Sequence, residues 1–315
     1  MPTTSAPPLR GDVLRPFRLE RSQLRGRVVR LAETVDYVLK AHDYPGPVSG
    51  LLGELLVLAG GLAGGLKFNG KFSLQIRGDG PVGLMVADCT NEGRMRGYAS
   101  FDAEAVQRLD EPSPRGLLGD GLLALTVDQA ASGGETYQGI VSLDGRTLAD
   151  CMLAYFRQSE QVPTGIRSAL ARDPMTGAWR AGAIIVQALP GSGPAADAQL
   201  AASSDGEPAE DWLRTMLLLQ TASEAELLDP RLSPDELLYR LFHEEGVRVY
   251  RPLTLAPGCS CDEGRVVSTL RSFTPEELAE MREPDGGITV TCQFCSRSYG
   301  FDAAGVDALV QHRRH

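Results

Sequence analysis

Between Val48 and Phe68 the chain is apolar at almost every position, with Leu, Ala and Gly predominating, and this run predicts a buried helix. Around it the period changes from helix-like to strand-like. Gly26-Arg27-Val28-Val29-Arg30-Leu31 reads as a first strand. Phe72-Ser73-Leu74-Gln75-Ile76 alternates apolar with polar, turns at Gly78-Asp79-Gly80-Pro81 and resumes at Leu84-Met85-Val86, the pattern of a hairpin. Leu122 to Val127, Tyr137 to Leu143 and Ala183 to Leu189 predict further strands. The expectation for residues 1–190 is a mixed α+β domain, an antiparallel sheet with helices on one side.

Gly191-Ser192-Gly193-Pro194 opens a stretch of Ala, Ser, Gly and Asp that reaches about Pro208, a linker composition. Short helices follow. Ser233-Pro234-Asp235-Glu236 and Thr274-Pro275-Glu276-Glu277 each combine a capping hydroxyl, Pro at the first helical position and Glu at the third. Leu237, Leu238, Leu241 and Phe242 fall on one helical face, as do Trp212, Met216 and Leu219. Residues 191–246 are therefore expected to form an acidic helical linker whose apolar faces dock on something. A small C-terminal unit, 247–315, is expected to follow, with Ile288-Thr289-Val290-Thr291 and Ser298 to Phe301 flanking a knuckle hairpin.

Charge sharpens this division. The chain carries a formal net charge of −10, and Ser204 to Val247 alone holds eleven acidic residues against three arginines. That balance argues against a sequence-independent grip on nucleic acid or on an anionic membrane. The longest strongly apolar stretch, Leu55 to Leu66, falls short of the ~20 residues of a membrane span, so none is expected. Met1 to Asp12 lacks the basic-then-apolar order of a secretory signal, and a cytoplasmic protein is the expectation.

Candidate chemistry lies in the last fifth of the chain. Cys259-Ser260-Cys261 and Cys292-Gln293-Phe294-Cys295 form a C-x-C and a C-x-x-C separated by thirty residues. Both thiolates of each pair can bind one ion, and the intervening loop can return the second pair to complete a tetrahedral site of four sulfurs. Zinc is the expected ion, since iron–sulfur centres use other cysteine spacings. A unit of this size has little core, and zinc binding contributes roughly 10–16 kcal/mol of apparent free energy in metal-dependent peptides. The same cysteines can leave the metal by oxidation, so the site is either a structural clip or a switch. A thioredoxin-type reading of the C-x-x-C fails, because strand signals lie on both sides where that motif needs a helix N-terminus.

The remaining motifs carry no chemistry. Gly78-Asp79-Gly80-Pro81-Val82-Gly83 matches G-x-G-x-x-G in form, but the hairpin context excludes the helix that a pyrophosphate site requires. Cys89 and Cys151 stand alone among apolar neighbours and read as buried small hydrophobes. His42, His243, His312 and His315 lack metal spacing and suit surface or capping roles. No hydrolase, Walker, zincin or kinase signature is present, and no catalytic residue is expected.

Taken together, these features resemble the heat shock protein 33 family of redox-regulated bacterial chaperones. The resemblance covers nearly the whole chain. It is carried by Leu52-Gly53-Glu54-Leu55, Leu66-Lys67-Phe68, Gln75-Ile76-Arg77-Gly78-Asp79-Gly80-Pro81, Arg96-Gly97-Tyr98-Ala99, Tyr137-Gln138-Gly139, Tyr155-Phe156-Arg157-Gln158-Ser159-Glu160-Gln161 and Leu237-Leu238-Tyr239-Arg240-Leu241-Phe242-His243-Glu244. The family's C-x-C and C-x-x-C fall on Cys259, Cys261, Cys292 and Cys295 with none missing. The resemblance implies one zinc ion per reduced, inactive chain, held by these four thiolates. It further implies that oxidation by hypochlorous acid, or by peroxide with unfolding stress, joins Cys259 to Cys261 and Cys292 to Cys295, releases zinc and unfolds the C-terminal domain and linker. Apolar surface then holds unfolding client proteins without ATP, and the active form is a homodimer. The alternative reading is a zinc-binding protein-interaction module in which the metal never leaves.

Overall fold

Seven residues that the sequence reading passes over begin the first sheet: Val13–Leu19 (β1) pairs antiparallel with Leu24–Leu31 (β2), Val13 opposite Arg30 and Leu19 opposite Leu24. The computed structural model describes residues 11–110, 112–130, 133–188 and 210–311. Two helices follow, Glu33–Lys40 (α1) and Gly46–Ala63 (α2). A meander comes next, Lys71–Gly78 (β3), Val82–Thr90 (β4) and Arg94–Phe101 (β5), with two single-turn helices, Ala103–Gln107 (α3) and Pro114–Leu118 (α4). Gly121–Asp128 (β6), Tyr137–Ser142 (β7) and Leu148–Tyr155 (α5) lead into a π-helical turn, Phe156–Glu160, and the hairpin Thr164–Arg172 (β8) with Trp179–Gln187 (β9). Register Arg77 to Leu84 makes the glycine-rich segment at 78–83 a hairpin turn, as its Pro81 predicts.

The acidic segment supplies Glu210–Gln220 (α6), Glu224–Leu228 (α7) and Pro234–Phe242 (α8). Ser233 and Ser223 each accept from the N3 backbone N–H while Glu236 and Glu226 reach back, so both capping boxes are closed. Three short strands come next: Val247–Val249 (β10) and Leu253–Thr254 (β11) pair with β1, and Ala256–Pro257 (β12) runs parallel to β5. Contacts divide the chain into Met1–Pro257 and Gly258–His315. Residues 247–257 thus sit with the first unit, because their backbone groups complete its sheets, and the contact boundary falls after Pro257 rather than at Val247. The glycine- and alanine-rich start of the linker, 191–208, lies outside the described residues.

Two sheets make up the first unit, in the orders β10-β1-β2-β9-β8, with β11 also on β1, and β12-β5-β4-β3-β6-β7. The sequence predicts one sheet with helices on one side; instead α2 packs against strands of both sheets. The reason lies in α2 itself, of whose eighteen residues fourteen are buried: a helix apolar all round needs cover on every side. By length and composition α2 passes for a membrane span, yet it is a core helix. Its glycines allow close approach. A Cβ on Gly61 would lie 2.7 Å from Ile185 Cδ1, and one on Gly64 would lie 2.2 Å from Leu14 Cδ1.

Strands β2 and β9 are buried on both faces. Val29, Ala183 and Ile185 belong to the cluster around α2, whereas Val28, Ile184 and Val186 point the other way, into a second cluster with Trp212, Leu219, Leu227, Leu237, Leu238, Leu241 and Phe242. The apolar linker faces read from helical spacing therefore dock on the outer face of the first sheet. Phe242 stacks on Phe17 with ring centroids 6.0 Å apart. Polar ties flank the patch: the Arg30 guanidinium donates to the carbonyls of Glu226, Asp229 and Leu232, and Arg214 pairs with the fully buried Glu245 carboxylate at 2.6 Å.

Candidate metal centre

The second unit contains Glu263–Leu270 (α9), Pro275–Glu280 (α10), the hairpin Ile288–Thr291 (β13) and Ser298–Phe301 (β14), and Ala303–Gln311 (α11). Thr274 closes a capping box with Glu277 at the start of α10, and Asp262 caps α9 by accepting from Arg265 N–H at 3.0 Å. Its core is slight. Among the described residues only Leu270, Leu278, Ile288, Val306 and Leu309 form the buried apolar cluster, with half-buried neighbours such as Phe273 and Phe301. A core of that size leaves little free energy after the entropy of ordering the chain.

The start of the unit and its hairpin converge on sulfur. Cys259 and Cys261 precede α9, and Cys292 and Cys295 occupy the turn between β13 and β14. That turn is tight: Cys292 N–H donates to Arg297 O at 2.9 Å, Ser296 N–H donates to Cys292 O at 2.8 Å, and Ser296 takes a left-handed φ of 56°. All four Sγ atoms lie within 4.8 Å of one another, with Cys259 to Cys292 at 3.6 Å and Cys261 to Cys295 at 3.3 Å. A tetrahedral zinc site with metal–sulfur distances of about 2.3 Å has sulfurs about 3.8 Å apart, so the four side chains fit one such ion. The four thiols are half-buried.

The environment distinguishes the sulfurs. Burial opposes ionisation at Cys261, but hydrogen bonds from Tyr299 Oη, at 3.2 Å, and from the other three thiols outweigh it and bring this thiol down to about 7. Cys295 is pushed up to about 12 by burial and by its hydrogen bonds to the other sulfurs, against the opposing Arg297 N–H. Tyr299 in turn hydrogen-bonds the Arg297 side chain, so a cation lies one step beyond the thiolate. Neither Tyr299 nor Arg297 is identified by cysteine spacing. The alternation of β14 places Tyr299 on a definite face, but which face meets sulfur depends on a hairpin register, Val290 opposite Tyr299, that only the structure supplies.

The other cysteines and histidines are elsewhere. Cys89 and Cys151 are buried in the core of the first unit, where burial raises both thiols, Cys89 to about 12. His42 packs against Tyr44 and Tyr98 with ring centroids 5.2 and 5.6 Å away. His243 caps α8, its Nδ1 3.2 Å from Tyr239 O. His312 and His315 lie outside the described residues.

Comparison with known proteins agrees with this architecture. A family model described as Hsp33 protein matches residues 12–302. The 33 kDa chaperonin of Caulobacter vibrioides (strain NA1000 / CB15N) is 43% identical over 300 residues, covering 93% of this chain and 96% of that one. The 33 kDa chaperonin of Serratia proteamaculans (strain 568) is 39% identical over 298 residues, covering 95% and 94%. The crystal structure of the 33 kDa chaperonin, a heat shock protein 33 homologue, from Thermotoga maritima superposes with a TM-score of 0.76 over 96% of this chain and 99% of that one, at 21% identity, which speaks to the fold alone. With its matched length, its fold and its four gathered cysteines, this chain belongs to the Hsp33 family of chaperones.

Proposed function

We propose that this chaperone is a holdase gated by oxidation of its zinc site, working without ATP in the cytoplasm. The observation that carries the reading is a set of four thiols drawn within 4.8 Å of one another in a unit whose buried apolar cluster has five members among the described residues. Such a unit depends on its clip. Cys259, Cys261, Cys292 and Cys295 would hold the zinc ion, one per chain, and the bound ion would fasten the start of the unit to its hairpin. No side chain has a catalytic role in this scheme.

Activation is a change at sulfur. A thiolate attacks the oxidant, hypochlorous acid or a peroxide, and becomes an activated sulfur; its neighbour displaces the leaving group and a disulfide forms. Each disulfide removes two electrons from two zinc-bound thiolates, and protons from solvent balance the reduction of hypochlorous acid to chloride and water, or of hydrogen peroxide to two waters. Cys259 with Cys261, and Cys292 with Cys295, are the expected pairs. This pairing is the one the family resemblance implies, and partners two or three residues apart close the shortest loops, although the cross contacts stand at 3.6 and 3.3 Å in the folded unit. Four oxidised sulfurs can no longer hold the ion, and the unit unfolds.

The chain then runs back through β12, β11 and β10 to α8. Release of α6, α7 and α8 would uncover Phe17, Val28, Ile184 and Val186 on the first sheet along with the linker's own apolar faces, the surface that would hold unfolding clients. Two activated chains would pair as a homodimer. The test is light scattering of a thermally unfolding client, without nucleotide, with this protein either reduced and zinc-loaded or oxidised and zinc-free. Suppression by the oxidised form alone is expected; equal suppression by both forms would mean a chaperone without the gate.

A further inference from the structure

The motif Tyr155 to Gln161 takes no part in the redox scheme, yet it builds one wall of a cleft of about 130 Å³ in the first unit. The π-helical turn Phe156–Glu160, closed by Gln161 at a left-handed φ of 53°, turns Glu160 back onto two phenols. Glu160 Oε1 accepts from Tyr137 Oη at 2.6 Å and from Tyr155 Oη, and the two hydroxyls lie 3.1 Å apart. The one carboxylate that lines the cleft among the described residues is thereby engaged. Leu62, Phe72, Leu125 and Val127 make the apolar floor.

Arg27 lines the same cleft and is 4% exposed. Its Nη2 donates to Gln187 Oε1 at 2.9 Å, and Nη1 has no hydrogen-bond partner among the described residues. A guanidinium buried to this extent normally meets a carboxylate, because an unpaired buried charge is costly. What it meets here is a neutral amide and the C-terminal end of α2, where Gly65 leaves it room: a Cβ there would lie 2.1 Å from Nη2. The helix terminus supplies about half a unit of negative charge. Burial, and then the neighbouring Arg25, pull the Arg27 guanidinium down to about 10, consistent with a cation that lacks its counter-ion.

We propose that this cleft binds a small monocarboxylic acid with an apolar body, the carboxylate on Arg27 and the body over Leu62, Phe72 and Leu125. An apolar cavity with a few convergent polar groups is the usual form of a small-molecule site, and a guanidinium takes a carboxylate in preference to a neutral head group. The inference does not depend on redox gating, and reduced, zinc-loaded protein is the material to use.

Octanoate is the probe, with octanol and inorganic phosphate as controls for its two halves. Calorimetry should give one saturable octanoate site per chain, about tenfold or more tighter than octanol or phosphate. Methyl NMR should move the resonances of Leu62, Leu125 and Val127 before any others. Arg27→Gln should abolish the preference for octanoate over octanol. Should that variant not fold, Leu66→Trp, at the exposed rim of the cleft, should weaken octanoate binding about tenfold with Arg27 intact. Octanol or phosphate binding as tightly as octanoate, methyl shifts confined to other regions, or octanoate binding untouched by either folded variant would overturn the proposal.

Discussion

The first sheet is buried on both faces, and the two faces are covered by opposite means. Inside, Val29, Ala183 and Ile185 meet α2, eighteen residues that are apolar nearly all round and belong to a cluster reaching across to the second sheet. Outside, Val28, Ile184 and Val186 meet α6, α7 and α8, helices of eleven, five and nine residues with acidic first turns. A helix like α2 has no stable place in water. Helices shorter than about 12–15 residues are marginal by themselves, so α6, α7 and α8 hold their shape through docking, and under the proposed function their charge would let them leave into solvent. Under the proposed function one sheet thus carries a permanent cover and a detachable one, and the detachable one is continuous in sequence with the metal centre.

Removing the clip should have the largest effect. Cys292→Ser takes one sulfur from the set, and the variant is expected to lose its bound zinc and the protease resistance of residues 258–311 while the α2 core persists. Metal analysis with limited proteolysis checks this, and unchanged metal content with unchanged cleavage would count against the account. Next comes a direct contrast between the two covers. Phe242→Ala removes a fully buried ring at the outer face and should cost about 3–5 kcal/mol of linker docking, whereas Leu55→Ala in α2 should cost about 2–5 kcal/mol of the whole first unit. Hydrogen exchange should therefore rise only in α6, α7 and α8 for the first variant and throughout the unit for the second.

A smaller effect should sharpen the picture of the sulfur site. Tyr299→Phe removes the hydroxyl that favours the Cys261 thiolate, which should raise that thiol and weaken zinc affinity roughly tenfold, most visibly at mildly acidic pH. Competition with a chromophoric chelator measures it. The smallest effect concerns Glu54 on α2, whose carboxyl is raised by burial, against opposing N–H groups of Ala149 and Leu148. A raised acid favours the native state most below its unfolded value, and that contribution is lost as pH climbs through the folded value. Glu54→Gln keeps the acceptor for Ala149 N–H at 3.1 Å, so its melting temperature should exceed wild type at about pH 8, with the gap narrowing towards about pH 4.

Much of this was legible in the chain because the signals are local. Capping boxes at Ser233 and Thr274, the turn at Gly78 to Pro81, and the Cys259, Cys261, Cys292 and Cys295 spacing each specify geometry within a few residues. The helical faces of Trp212 and Leu237 to Phe242 likewise announce that something must cover them. What they cover is a matter of long-range pairing: β1 lies next to β10 and β11, more than two hundred residues away, and no period in the sequence encodes that partnership. The same holds for the enclosure of α2 by two sheets, for Tyr299 at the sulfurs, and for Arg27, whose place in a strand between Arg25 and Arg30 gives no hint of a cleft.

The most direct test of a clip that controls the detachable cover is hydrogen exchange on the full chain, reduced and zinc-loaded against oxidised and zinc-free. The account predicts that oxidation strips protection from 258–311 and from α6, α7 and α8 together, while α2 stays protected. Loss confined to 258–311, with the linker helices as protected as before, would contradict it.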